Sequence, residues 1–91
     1  MKTVIIDGRE IKDKQTLHLM LKRELNFPEY YGKNLDALWD CLTVDTKMPL
    51  EIVWKNFKYS KEHLGEYADM TVELLSRVEE YFKGEFKVKI Q

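Results

Sequence analysis

Apolar and polar positions recur along this chain with two different periods, and the switches between them outline its elements. Thr3-Val4-Ile5-Ile6 is a short apolar run closed by the turn dipeptide Asp7-Gly8, which predicts a strand. Asp13 is suited to cap a helix, and Leu17, Met20 or Leu21, and Glu24 or Leu25 then follow at helical spacing to about Leu25. Pro28 and Gly32 bracket an ordered loop. Asn34 caps a second helix, expected to bury Leu35, Leu38, Leu42 and Cys41 at three- and four-residue spacing. Pro49 marks the next strand, Leu50-Glu51-Ile52-Val53-Trp54, and a short helix is expected around 56–61. Gly65 precedes the longest amphipathic stretch, where Leu64, Ala68, Thr71, Leu75, Val78 and Phe82 fall on one stripe. Gly84 stops that helix. Phe86-Lys87-Val88-Lys89-Ile90 alternates as a half-exposed strand whose lysines suit a sheet edge.

The order is strand, two helices, strand, two helices, strand. Such crossovers imply an α/β fold with a small parallel sheet and right-handed connections. No glycine-rich phosphate loop follows the first strand, since Asp7-Gly8-Arg9 lacks further glycines, so a nucleotide site is not expected. At 91 residues the chain is read as one domain, residues 1–91, with 44% apolar and 12% aromatic residues to fill its core. The apolar run after Met1-Lys2 ends at Asp7, too short for a secretory signal, and no stretch approaches the roughly 20 apolar residues of a membrane span. With Cys41 as its one cysteine, the chain has no internal disulfide framework, and a reduced, cytoplasmic setting is expected.

Charge changes the picture locally. The net charge is only −1, which does not favour nucleic-acid or anionic-membrane binding, yet residues 34–54 hold Asp36, Asp40, Asp45 and Glu51 against the single base Lys47. Asp36 and Asp40 stand four residues apart on the second helix, on one face and about 5–6 Å apart at Cβ, where like charges repel. Complementing the helix dipole explains Asp36 near the first turn; it explains Asp40 poorly. A metal site would need more ligands, and His18 and His63 lie on other helices without zinc-type spacing. His18 is read as a helix-surface or half-buried residue, and His63 as a polar residue near a helix end. An acid–base pair would need two carboxylates in unlike environments, and no Ser-His-Asp or Cys-His set is evident. No catalytic residue, metal or cofactor is therefore assigned. Tyr31 and Trp54 read as core, Trp39 as half-buried and Tyr30 as an exposed loop residue; Tyr and Trp beside desolvated charge are typical of interface hot spots. Lys55, Lys58 and Lys61 read as a solvated helix face.

The run Leu25-Asn26-Phe27-Pro28-Glu29-Tyr30-Tyr31-Gly32-Lys33-Asn34-Leu35-Asp36-Ala37-Leu38-Trp39-Asp40-Cys41-Leu42-Thr43 resembles the signature of the barstar family, intracellular inhibitors of barnase-type ribonucleases. The likeness continues through Pro49-Leu50, Trp54, Phe57 and Ser60-Lys61, and includes Val4-Ile5, Gly8 and Ile11. It implies a three-stranded parallel sheet of order 1-2-3 with about four helices. It also implies that the second helix and its preceding loop plug a ribonuclease active site. Carried over residue by residue, the resemblance makes Tyr30, Asn34, Leu35, Asp36, Trp39, Asp40 and Thr43 partner contacts. Asp40 would stand in for the substrate phosphate against arginines and the catalytic histidine, Asp36 would meet a further basic group, and Tyr30 would stack on the nuclease. The chain departs from the pattern at Val44, Asp45 and Lys47, where the family's prototype has glycine, tryptophan and an acid. It departs again at Arg77, where the fourth helix should offer an acidic contact that Glu73 or Glu80 would supply only in a shifted register. Asp45, Glu73, Arg77 and Glu80 are thus peripheral candidates. The implied partner is a barnase-like ribonuclease, met by a protein that is monomeric when free; the alternative is a binding module with a diverged or non-nuclease basic partner.

Overall fold

A computed structural model describes residues 1–91. Strand β1 (Lys2–Asp7) leads through a 3-10 turn (Gly8–Glu10) to α1 (Lys14–Leu25) and α2 (Leu35–Asp40), whose last part widens into a π-helical turn (Cys41–Asp45). Strand β2 (Leu50–Lys55) is followed by α3 (Phe57–Leu64), α4 (Glu66–Phe82) and β3 (Phe86–Ile90). The three strands form one parallel sheet in the order β1-β2-β3, with Val4 beside Ile52 and Ile52 beside Val88. The α/β class, the strand order and the four helices agree with expectation.

A sheet that grows in one direction through right-handed crossovers collects all its helices on one face. Burial along the strands follows from this. Val4, Ile6, Leu50, Ile52, Trp54 and Phe86 point into the core, together with Leu17, Leu21, Leu38, Leu42, Leu75 and Val78 from the helices. The residues between them point the other way, so Lys87 and Lys89 on the β3 edge are exposed. The first strand is accordingly not buried throughout, as its continuous apolar run suggests; Ile5 is 51% exposed because no helix covers that side.

Local chemistry sets the element ends. Asp13 and Thr16 form a reciprocal capping box, Thr16 N–H to Asp13 Oδ1 at 2.8 Å and Asp13 N–H to Thr16 Oγ1 at 3.0 Å. The helix α1 stops at Asn26, which takes left-handed dihedrals (φ 59°), tolerated by Asn better than by most side chains. Gly8 is required by close approach: an added Cβ would sit 2.2 Å from the Asn56 carbonyl oxygen. The same contact is tied by buried Ser60, whose hydroxyl donates to Gly8 O (3.3 Å) and accepts from Trp54 Nε1 (3.0 Å). Two boundaries differ from expectation. The third helix runs on to Leu64, so Leu64 closes α3 and does not share the α4 stripe. The regular part of α2 is only six residues long, because the backbone loosens at Cys41.

Candidate partner-binding surface

The loop between α1 and α2 is held by aromatics pointing inward. Phe27 and Tyr31 are buried with their rings 4.8 Å apart, and Tyr31 N–H donates to Pro28 O at 3.0 Å. Between them the chain turns outward, leaving Tyr30 80% exposed. Lys33, not a glycine, supplies the left-handed residue (φ 56°) that swings the backbone into the helix. Asn34 then caps α2, its side-chain oxygen accepting from Ala37 N–H at 2.7 Å.

Six helical residues separate two faces. Leu38, and Cys41 and Leu42 just beyond, are buried, while Asp36 and Asp40 are exposed on the opposite side. Neither carboxylate has a salt bridge or side-chain hydrogen bond within the molecule, and no basic residue occurs between Asn34 and Thr46. Leu35 and Trp39 lie half-buried on the flank that faces α4; the full burial expected of Leu35 is not reached, because it borders an open hollow between α2 and α4. Thr43 is half-buried and its hydroxyl donates to Trp39 O at 2.8 Å, while Thr46 donates to Cys41 O at 2.7 Å. Two threonines thus tie their hydroxyls back to carbonyls at the start of the π-helical turn. The fold therefore gives Asn34 and Thr43 structural work and gives none to Asp40.

The peripheral candidates separate. Asp45, Glu80 and Lys47 are exposed, and Glu73 accepts from Arg77 Nη2 at 2.7 Å on the surface of α4. The exposed Val44 stands next to Asp45 on the π-helical turn.

His18 departs most from its reading as a surface or half-buried residue. It is fully buried: Nδ1 lies 2.6 Å from the Tyr31 hydroxyl and Nε2 lies 2.7 Å from the Tyr67 hydroxyl. Burial pushes its pKa down to about 4, so the ring is neutral near pH 7. Both ring nitrogens are occupied, which leaves none to activate a nucleophile or hold a metal. Cys41 is buried as well, and burial raises its thiol pKa, helped by Asp45 and Asp40, so the thiolate needed for nucleophilic chemistry is disfavoured. His63, exposed in the last turn of α3, has Nδ1 2.9 Å from Tyr59 O. No group of three or more His, Cys, Asp or Glu side chains is gathered in metal-binding geometry. No helix is long and apolar enough to cross a membrane.

Sequence reading missed three residues on α4. Tyr81 sets its ring edge-on to Trp39, with centroids 5.7 Å apart, and Met70 and Tyr81 are 52% and 60% exposed. Tyr67 reaches His18 from the first turn of the same helix. The signal available was a second stripe on α4, outside the core stripe, carrying apolar residues.

Comparison with known proteins agrees with this arrangement along its whole length. Residues 1–91 match the family described as barstar (barnase inhibitor). The chain is 50% identical over 91 residues to a Bacillus subtilis (strain 168) protein named "Putative ribonuclease inhibitor YrdF", the match covering 100% of both chains. With that family match spanning every element, and a short acidic helix standing unpaired beside an exposed loop tyrosine, the chain belongs to the barstar family.

Proposed function

We propose that this protein inhibits a barnase-like ribonuclease by inserting α2 and the loop before it into the enzyme's active site. The observation that carries the reading is the unpaired pair Asp36 and Asp40. Like charges four apart on a helix oppose folding by a few tenths of a kcal/mol, and here no cation of the chain relieves them. A cationic cleft that binds RNA phosphate would relieve both. Asp40, deeper along the helix, takes the place of the phosphate opposite the enzyme's basic groups, and Asp36 meets a second cation nearer the rim. Tyr30, Leu35 and Trp39 supply the apolar contact area, and Asn34 and Thr43 hold the helix in shape while bordering the contact. On this reading the protein has no catalysis of its own and meets the nuclease as a monomer in the cytoplasm. Charge complementarity of this kind also speeds encounter.

The test is inhibition of a panel of barnase-like ribonucleases by the parent protein and by Asp40→Ala. Truncation is expected to weaken inhibition by at least the roughly 2 kcal/mol that marks a hot spot, a threshold for which the family's prototype complex is itself a standard example. Thermal stability is expected to be unchanged or slightly raised. A variant that inhibits as well as the parent would sink the active-site plug. The charge change at Arg77 favours one competing reading, a binding module with a diverged basic partner; inhibition of no enzyme in the panel would select it.

A further inference from the structure

The proposed contact surface does not end at α2. Between α2 and α4 lies an open hollow of about 260 Å3, lined by Leu35, Asp36, Met70, Glu73, Leu74 and Arg77. Half of its lining is apolar, from Leu35, Leu74 and Met70, and half is charged, from Asp36, Glu73 and Arg77. At 100° per residue, Met70, Leu74, Arg77 and Tyr81 fall within about 60° of one another, so they form one ridge along α4. This ridge is continuous with the acidic helix, because Tyr81 touches Trp39. Two of its members, Met70 and Tyr81, are large apolar side chains left more than half exposed.

Arg77 is the single basic residue of α2 and α4 together. Its pair with Glu73 is solvated, with 68% and 64% of the two side chains exposed, and such pairs hold their partners weakly. Only Nη2 is engaged by Glu73, so the guanidinium keeps donors free for a second carboxylate.

We infer that the α4 ridge is the specificity-determining half of the binding surface. It fits a ribonuclease that carries, beside its basic active site, an acidic residue opposite Arg77, an apolar side chain that enters the hollow against Leu35, Leu74 and Met70, and further apolar surface along the ridge at Tyr81. The acidic helix selects any enzyme with a phosphate-binding cleft; the ridge selects among them, because a basic residue opposite Arg77 is repelled. This rests on the inhibitor reading proposed above.

The experiment measures inhibition constants of the parent, Arg77→Glu, Arg77→Gln, Tyr81→Ala and Asp40→Ala against the same panel of barnase-like ribonucleases, with thermal melts of each variant. Arg77→Glu is expected to weaken inhibition of the best-inhibited enzyme at least tenfold, Arg77→Gln by less, and Tyr81→Ala several-fold, with melting temperatures held. Among other enzymes of the panel, those with a basic residue facing position 77 are expected to gain affinity for Arg77→Glu. If Asp40→Ala abolishes inhibition while the Arg77 and Tyr81 variants match the parent on every enzyme, the ridge lies outside the interface and the inference is wrong. If Asp40→Ala also matches the parent, or no enzyme is inhibited, the inhibitor reading fails and takes the inference with it.

Discussion

The buried His18 makes a stability prediction that can be isolated by pH. The neutral ring has one donor and one acceptor nitrogen, and the two tyrosine hydroxyls serve both at 2.6 and 2.7 Å. Protonation turns both nitrogens into donors. The tyrosine that had donated to the ring must then turn its hydrogen away. Tyr31, 4% exposed, has no other side-chain hydrogen-bond partner, whereas Tyr67 is half-buried. The groups around the ring offer the charge no help. The Lys14 ammonium sits 4.7 Å over the Tyr67 ring, Cys41 is a neutral thiol, and no carboxylate pairs with His18.

A histidine pKa lowered from 6.5 to about 4 means that the unfolded state binds more protons than the folded one between those values. The stabilisation is complete above about pH 6.5 and is lost as pH falls towards 4. At 1.36 kcal/mol per unit the total is about 3 kcal/mol, and about 2.5 kcal/mol of it falls between pH 7 and 4.5. For a domain of this size that is a large share of a net stability on the order of 5–14 kcal/mol. The carboxylates do not mask the effect. Asp7, held down by Arg9 and Asn56, and Asp13, held down by Thr16, lose their contributions only as pH falls through the ordinary carboxylate range and below. Urea unfolding, followed by the fluorescence of fully buried Trp54 and half-buried Trp39, at steps between pH 7 and 4.5 measures the slope. His18→Gln is expected to be less stable at pH 7 and nearly flat across the window, while His63→Gln keeps the parent's slope. A parent that is flat from pH 6.5 to 4.5, or a slope that survives in His18→Gln, would refute the argument. On the proposed inhibitor reading the binding loop is coupled to the same ring, because Tyr31 adjoins Tyr30; acid conditions in this window are expected to loosen the loop and increase amide exchange at residues 29–33.

Other expectations are simpler. Gly8→Ala forces a methyl to within 2.2 Å of the Asn56 carbonyl unless β1 and α3 separate, and is expected to cost about 1–3 kcal/mol in urea unfolding; a neutral result would mean the contact yields freely. Asn34→Ala removes the α2 cap and is expected to cost about 1 kcal/mol of stability and to weaken inhibition; loss of stability alone would place Asn34 outside the contact. Stopped-flow association with an inhibited nuclease is expected to slow as salt rises from 0.05 to 0.5 M, and a salt-independent rate would remove charge steering from the account.

Much of this molecule is carried by patterns a few residues long. The three strands, the periods of α1 and α4, the Asp13 and Asn34 caps, the lysine-marked sheet edge and the acidic pair at 36 and 40 are all such patterns. Each depends on neighbours within one or two turns, so residue order alone settles it. The limits of α2 were less legible, since the widening at Cys41 is completed by hydroxyls of Thr43 and Thr46 reaching back to carbonyls, a geometry with no periodic signature. Other features depended on residues far apart in the chain. His18 reads as an ordinary helix polar residue until folding brings it hydroxyls from 13 and 49 positions away. Ile5 sits in a continuous apolar run, and its exposure follows only once both crossovers place every helix on the other side of the sheet. The hollow beside Asp36 and the contact of Tyr81 with Trp39 exist only because α4 packs beside α2. Local propensity therefore decided which elements form and placed the acidic centre; long-range packing decided which polar group was sealed in the core and which apolar side chains were left out beside that centre. The physical reason is that periodicity reports on a residue's own helix or strand, whereas burial and pairing are properties of whatever the completed fold sets opposite it.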